Sequence, residues 1–143
     1  AYTDWYHSRT GAAVRTKPHL LLVDDSAFFR NMLIPVLRAA GYHVTAAAGG
    51  QEAYDLVRSG RKFDLLVTDL QMPVMDGVAL ARAIRAEPSA AGMPMIALSS
   101  MTTPDMVERV RRAGFHDFVA KFDRQGLIAA IKEQAEFETT RAA

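Results

Sequence analysis

Cysteine is absent from these 143 residues, which excludes disulfides and thiolate metal sites. No apolar run approaches the roughly 20 residues that a helix needs to cross a bilayer. The first 18 residues, AYTDWYHSRTGAAVRTKP, are polar and aromatic, not basic and then apolar as in a secretory signal. Nor does one sign of charge dominate. Lys and Arg number 17 against 16 Asp and Glu, a formal net charge of +1, so no strong field points to nucleic acid or a membrane surface. Internal repeats and low-complexity tracts are missing as well. These absences leave a cytoplasmic globular module as the expectation. Because the chain begins at Ala1 without Met, a piece of something longer is expected.

The length suits one domain with a single core. From residue 19 onward, apolar runs alternate with helical periods. HLLLVD is a strand, and 26–40 is a helix with Met32, Leu33, Val36, Leu37 and Ala40 on one face, stopped at Gly41. Pro35 inside it removes one backbone bond and predicts a kink. YHVTAAA (42–48) is a second strand, followed by a short helix marked by Ala53, Leu56 and Val57 that ends at Gly60. FDLLVTD (63–69) is a third strand, then a helix carrying Leu80, Ala81 and Ile84. PMIALSS (94–100) is the fourth, and Thr103 with Pro104 starts the next helix, with Val107, Val110 and Ala113 inward and Gly114 as its end. FHDFVAK (115–121) is the fifth, before a last helix lined by Leu127, Ile128, Ile131 and Ala135. Five strands alternating with five helices predict an α/β fold, a parallel sheet covered on both faces. Right-handed crossovers favour the doubly wound, flavodoxin-like order 2-1-3-4-5.

In such a fold the strand C-termini meet at one edge, where ligands bind. Asp24 and Asp25 follow the first strand and Asp69 ends the third, its expected neighbour. The doubled acid alone has simpler readings, a solvated turn or a helix cap by Asp25 or Ser26. Three carboxylates in one pocket, however, would repel and raise one another's pKa unless a divalent cation relieved them, and oxygen ligands suit Mg²⁺. Ser99 and Lys121 end the fourth and fifth strands, bringing a hydroxyl and an ammonium to the same edge. Such a set suits a transferring phosphoryl group, with a carboxylate attacking in line. Pro73 and Gly77 shape the loop after Asp69, and Asp76 can cap the next helix. Outside this edge, His43 and His116 sit at the opposite end of the sheet and are assigned no ligand role. The methionines from Met72 to Met106 are expected to fill gaps, and Arg109, Arg111 and Arg112 to form a solvated helix face.

LLVDDS, VTDLQMPVMDG, PMIALSS and FVAKFD, in this order, resemble the response-regulator receiver (CheY-like) domains of two-component signalling, over about 18–136. Spacings of 44 positions from Asp25 to Asp69, 30 to Ser99 and 22 to Lys121 make the likeness specific. The resemblance implies that Asp69 accepts phosphate from a phosphohistidine, and that Asp25, Asp69 and the backbone carbonyl of Gln71 bind Mg²⁺ directly. Asp24 would act mainly through a water, and Ser99 would turn toward the phosphoryl group with Phe118 as the coupled aromatic switch. Catalysis would be confined to the domain's own phosphorylation and dephosphorylation.

Departures from the family pattern are instructive. Phe122 stands where proline usually follows the lysine, and a trans Lys121–Phe122 bond with a shifted loop is expected, since a cis bond without proline costs about 2.5–4 kcal/mol. Ser100 replaces a usual Ala or Gly and would narrow access to Asp69. AAAGG lacks the acidic residue often found before the second helix. The chain is most similar to receivers at the C-terminus of hybrid chemotaxis histidine kinases (CheA-type) or of CheV-type coupling proteins. That likeness implies a linker at 1–18, a receiver at 19–138, a tail at 139–143, and a phosphohistidine domain of the parent chain as partner. A free-standing regulator docking on a separate target is the alternative. A haloacid-dehalogenase-type hydrolase would want an acid where Gln71 stands, and a nucleotide or flavin module would want glycine in VDDSAFF.

Overall fold

The computed structural model describes residues 17–142. Its elements alternate as β1 (His19–Val23), α1 (Ala27–Ala39), β2 (His43–Ala47), α2 (Gly50–Arg58), β3 (Leu65–Asp69), α3 (Gly77–Arg85), β4 (Met95–Ser99), α4 (Pro104–Arg112), β5 (Asp117–Ala120) and α5 (Arg124–Ala142). All pairings are parallel and the sheet order is β2-β1-β3-β4-β5, the doubly wound arrangement. The residues 1–16 of the expected linker lie outside the described part, and α5 continues through 139–142 of the expected tail. No helix among the described residues is long and apolar enough to cross a membrane.

The strands read as nearly unbroken apolar runs because both faces of the sheet are covered. Leu20, Leu22, Leu65, Val67, Ile96 and Leu98 point to one side, where they meet α1 and α5. Leu21, Val23, Leu66, Met95 and Ala97 point to the other, against α2, α3 and α4. Each fully buried leucine or isoleucine contributes about 1.5–3 kcal/mol of burial, so alternate side chains of a single strand anchor both layers. Glycines at φ between 98° and 105° stop α1, α2 and α4, at Gly41, Gly60 and Gly114. Only a residue without Cβ holds that left-handed geometry at no steric cost.

One detail differs from the sequence expectation. The inward face of α1 is Phe29, Leu33 and Leu37, an i, i+4, i+8 row laid along the sheet, whereas Ala40 is exposed at the C-cap. The helix continues across Pro35. Pro35 and Asn31, whose carbonyl loses its helical donor, are both exposed, so water can take the place of the missing N–H.

Candidate functional site

Two strands build the floor of the site. β1 and β3 are neighbours with Val23 opposite Thr68, which sets Asp24, just past β1, beside Asp69, the last residue of β3. The Asp24 N–H still donates to the Ala47 carbonyl at 3.2 Å, so its backbone is an extension of the sheet. Asp24 Oδ1 accepts from the Ser26 N–H at 2.8 Å, and the Asp24 carbonyl accepts from the Arg30 guanidinium at 2.7 Å. Ser26 Oγ in turn accepts from the Phe29 N–H at 3.1 Å, making Ser26 the cap of α1. The doubled acid is therefore no cap. Asp24 is wholly buried, Asp69 nearly so, and Asp25 exposed, yet carboxylate oxygens of all three lie within 4.8 Å of one another.

Lys121 closes the opposite wall. Its backbone N–H donates to the Ser99 carbonyl at 2.9 Å, which prolongs the β4–β5 pairing past Ala120. Its Nζ lies 3.0 Å from Asp24 Oδ2 and 3.5 Å from Asp69 Oδ2. The approach to Asp24 Oδ2 is ionic, since that buried oxygen takes no hydrogen bond of regular geometry. The same ammonium stands 4.9 Å from the centre of the Phe29 ring. Ser99 is buried at the end of β4, where its Oγ accepts from the Met101 N–H at 3.0 Å.

The electrostatics follow from this crowding. Burial, reinforced by the Asp24 charge, raises the Asp69 carboxyl above the usual carboxylate range, while Lys121 and a backbone hydrogen bond from Gln71 pull the other way. Burial alone would lower the Lys121 ammonium, but Asp24 and Asp69 outweigh it and hold it above its ordinary value. One ammonium thus pairs with two carboxylates of a cluster of three, and one buried oxygen, Asp24 Oδ2, has only an ionic partner. A hard divalent cation fits this donor set, because carboxylate oxygens at this density are its preferred ligands.

The loop after Asp69 is pressed into place by glycine. A Cβ on Gly77 would lie 2.5 Å from the Asp69 carbonyl oxygen and 2.9 Å from Leu70 Cα, so no other residue lets α3 start so close to the site. Asp76 caps α3 by accepting from the Ala79 N–H at 2.8 Å, as its position in MDG predicts. Val74, in the same loop, is fully exposed at φ 70°.

Phe118 lies on β5 two residues before Ala120, the partner of Ser99. It is half-buried and lines a groove of about 440 Å³ with Thr102, Val107 and Val110 of the α4 side. Gln71 is exposed, with its side-chain amide 3.5 Å from Met101 Sδ. Ser100 is exposed at the rim. The Lys121–Phe122 bond is trans, as no cis peptide occurs among the described residues. Phe122 is 68% exposed and meets Phe29 edge-on, with ring centres 5.7 Å apart. His116, whose Nδ1 accepts from the Met95 N–H at 3.1 Å, belongs to the opposite edge. Phe29 and Arg30 are the site residues that sequence reasoning missed. Nothing in AFFR separates the phenylalanine under Lys121 from its neighbour, or marks an arginine that reaches back to a carbonyl.

Residues 20–132 match the response regulator receiver domain family. A segment of the gliding motility regulatory protein of Myxococcus xanthus is 38% identical over 112 residues, 78% of this chain but 14% of that protein. Among solved structures, a chemotaxis response regulator of Vibrio cholerae superposes with a TM-score of 0.77 at 30% identity, covering 83% of this chain and 99% of that one. The receiver domain of a sensor histidine kinase of Pseudomonas aeruginosa, solved with a magnesium ion in its active-site cleft, gives 0.76 at 30% identity, covering 84% and 98%. Fold, strand-end acids and sequence agree, and the chain belongs to the response regulator receiver domains of two-component signalling, which receive phosphate from histidine kinases.

Proposed function

We propose that Asp69 is the phosphoacceptor of this receiver and that transfer from a phosphohistidine requires Mg²⁺. The observation that carries this is the Lys121 ammonium set between buried Asp24 and Asp69, at the sheet edge where β4 ends in buried Ser99. In the reaction a carboxylate oxygen of Asp69 attacks phosphorus, the P–N bond to the donor imidazole breaks, and the imidazole leaves as it regains a proton. Lys121 and Ser99 stabilise oxygens of the moving phosphoryl group. Asp25, Asp69 and the Gln71 carbonyl would hold the ion directly and Asp24 through a water. When bound, Mg²⁺ supplies the charge that offsets both the acid cluster and the phosphoryl oxygens. Phe118 then follows Ser99 as the switch, with its groove beside α4 as the space for that movement. The test is labelling with acetyl phosphate, with and without EDTA, on the native chain and on Asp69→Asn. Labelling should need both Mg²⁺ and Asp69, and full labelling of the Asn variant at this site overturns the assignment.

We further propose that the receiver (19–138) works inside a longer cytoplasmic chemotaxis or motility protein, as a phosphate sink or brake on its own kinase. The likeness to a segment of a much longer gliding motility regulator, and to a receiver domain of a sensor kinase, supports this. Tethering would raise the effective concentration of donor and acceptor, so modest intrinsic affinity suffices. The free-standing reading is favoured instead by the near-complete coverage of the Vibrio chemotaxis regulator. Deleting residues 19–143 from the parent chain separates them. Unchanged autophosphorylation and unchanged transfer to a separate regulator would favour the free-standing form. Near-neutral charge gives neither reading a nucleic-acid partner, and no membrane contact is proposed.

A further inference from the structure

We infer that Phe29 is a positioning residue for the phosphoryl-transfer lysine, its ring face serving as a fixed seat for the Lys121 ammonium. The inference rests on Asp69 being the acceptor. Three groups hold Lys121 Nζ: Asp24 at 3.0 Å, Asp69 at 3.5 Å, and the Phe29 ring with its centre at 4.9 Å. The last distance lies within the range of about 6 Å in which an ammonium is drawn to the face of an aromatic ring. Only 14% of the lysine side chain is exposed, so water competes weakly for the ammonium.

The three partners differ in what phosphorylation does to them. Asp69 exchanges its carboxylate charge for the bridging oxygen of an acyl phosphate, and the negative charge moves outward onto phosphoryl oxygens. Lys121 has to follow that charge without leaving the site. Asp24 and the Phe29 ring do not change. The ring carries no titratable group, is 1% exposed, and is locked by Leu33 and Leu37 in the row that α1 lays on the sheet. Phe122 braces it from outside at an interplanar angle of 88°. Where receivers usually carry proline after the lysine, this chain places a second aromatic ring against the seat of the lysine. A rigid apolar face on one side and carboxylates on the other restrict Nζ to an arc that begins at Asp69 and opens toward the incoming phosphorus.

The experiment varies the electrons of the ring before its shape. Mono-, di- and trifluorinated phenylalanine at position 29 keep the ring while stepwise removing the negative charge of its face, and Phe29→Leu removes the ring. Phosphorylation by acetyl phosphate in saturating Mg²⁺ forms the Asp69 oxygen–phosphorus bond and releases acetate. Its maximal rate should fall along the series, by roughly three- to tenfold at the trifluoro end, while the half-saturating donor concentration stays constant. The Lys121 ε-CH₂ proton resonances, shifted by the ring in the native chain, should return toward ordinary lysine values in Phe29→Leu. A flat rate across a folded fluorinated series overturns the inference. So do lysine resonances identical in native and Leu proteins. If the native chain takes up no phosphate, the acceptor reading fails, and the lysine resonances still decide whether the seat exists. Should Phe29→Leu not fold, the near-isosteric fluorinated series decides alone.

Discussion

Replacing Lys121 by methionine keeps a long apolar stem and removes the ammonium that is ion-paired with the Asp24 and Asp69 carboxylates. At an effective dielectric near 20, the gross attraction across 3.0 and 3.5 Å is about 5.5 and 4.7 kcal/mol, most of which desolvation of the ammonium offsets. Breaking one side of a fully buried pair costs about 3–5 kcal/mol. Here the lysine keeps 14% exposure at the open edge of the sheet, so about 2–3 kcal/mol is expected at pH 7.5 in EDTA. The pH dependence has a definite sign. Burial and Asp24 already raise the native Asp69 carboxyl, and losing Lys121 raises it further. A carboxyl raised in the native state binds a proton that the unfolded chain releases. Stability is then fullest below the ordinary value of about 4 and falls as pH rises through the native pKa. The variant should therefore lose more relative to the native chain at pH 7.5 than at pH 5.5. A divalent cation replaces the missing charge, so Mg²⁺ should restore more stability to Lys121→Met than to the native chain. Urea unfolding of both proteins at the two pH values, in EDTA and in Mg²⁺, measures all of this. Equal stability of the two in EDTA at pH 7.5, or equal gains from Mg²⁺, refutes the reasoning.

Gly77→Ala would set a methyl group 2.5 Å from the Asp69 carbonyl oxygen, against backbone that cannot rotate away. A loss of about 1–3 kcal/mol in urea unfolding is expected, and an unchanged midpoint would show that α3 can start elsewhere. Val74→Asn should do the opposite. The residue is fully exposed at φ 70°, so relief of about 1 kcal/mol comes without lost packing and lifts the thermal midpoint by a few degrees. Ser26→Ala removes the acceptor of the Phe29 N–H and should cost about 1 kcal/mol, and no change would mean that α1 has no need of its cap.

Much of this molecule is written locally. Apolar runs of strand length between helical periods forecast the alternation, and the handedness of crossovers then leaves few strand orders besides the observed one. The acids, hydroxyl and lysine were legible because each ends or directly follows a strand, and parallel strands bring those ends to one edge. The caps at Asp76 and Thr103 were legible too, and Ser26 as one of two candidates with Asp25, since a cap acts only on its own helix.

Other features exist only where distant segments meet. Asp24 and Asp25 are chemically alike in sequence, yet the sheet buries the first and leaves the second in water. Phe28 and Phe29 are identical neighbours, 74% and 1% exposed, because a turn of about 100° per residue carries one away from the sheet that the other faces. No local pattern joins Phe29 to Lys121, or Gly77 to the Asp69 carbonyl. Sequence periodicity determines which way a side chain faces along its own element. Which groups meet across elements is decided by the packing of helices on the twisted sheet, and here that packing places one ammonium between two buried acids and a ring.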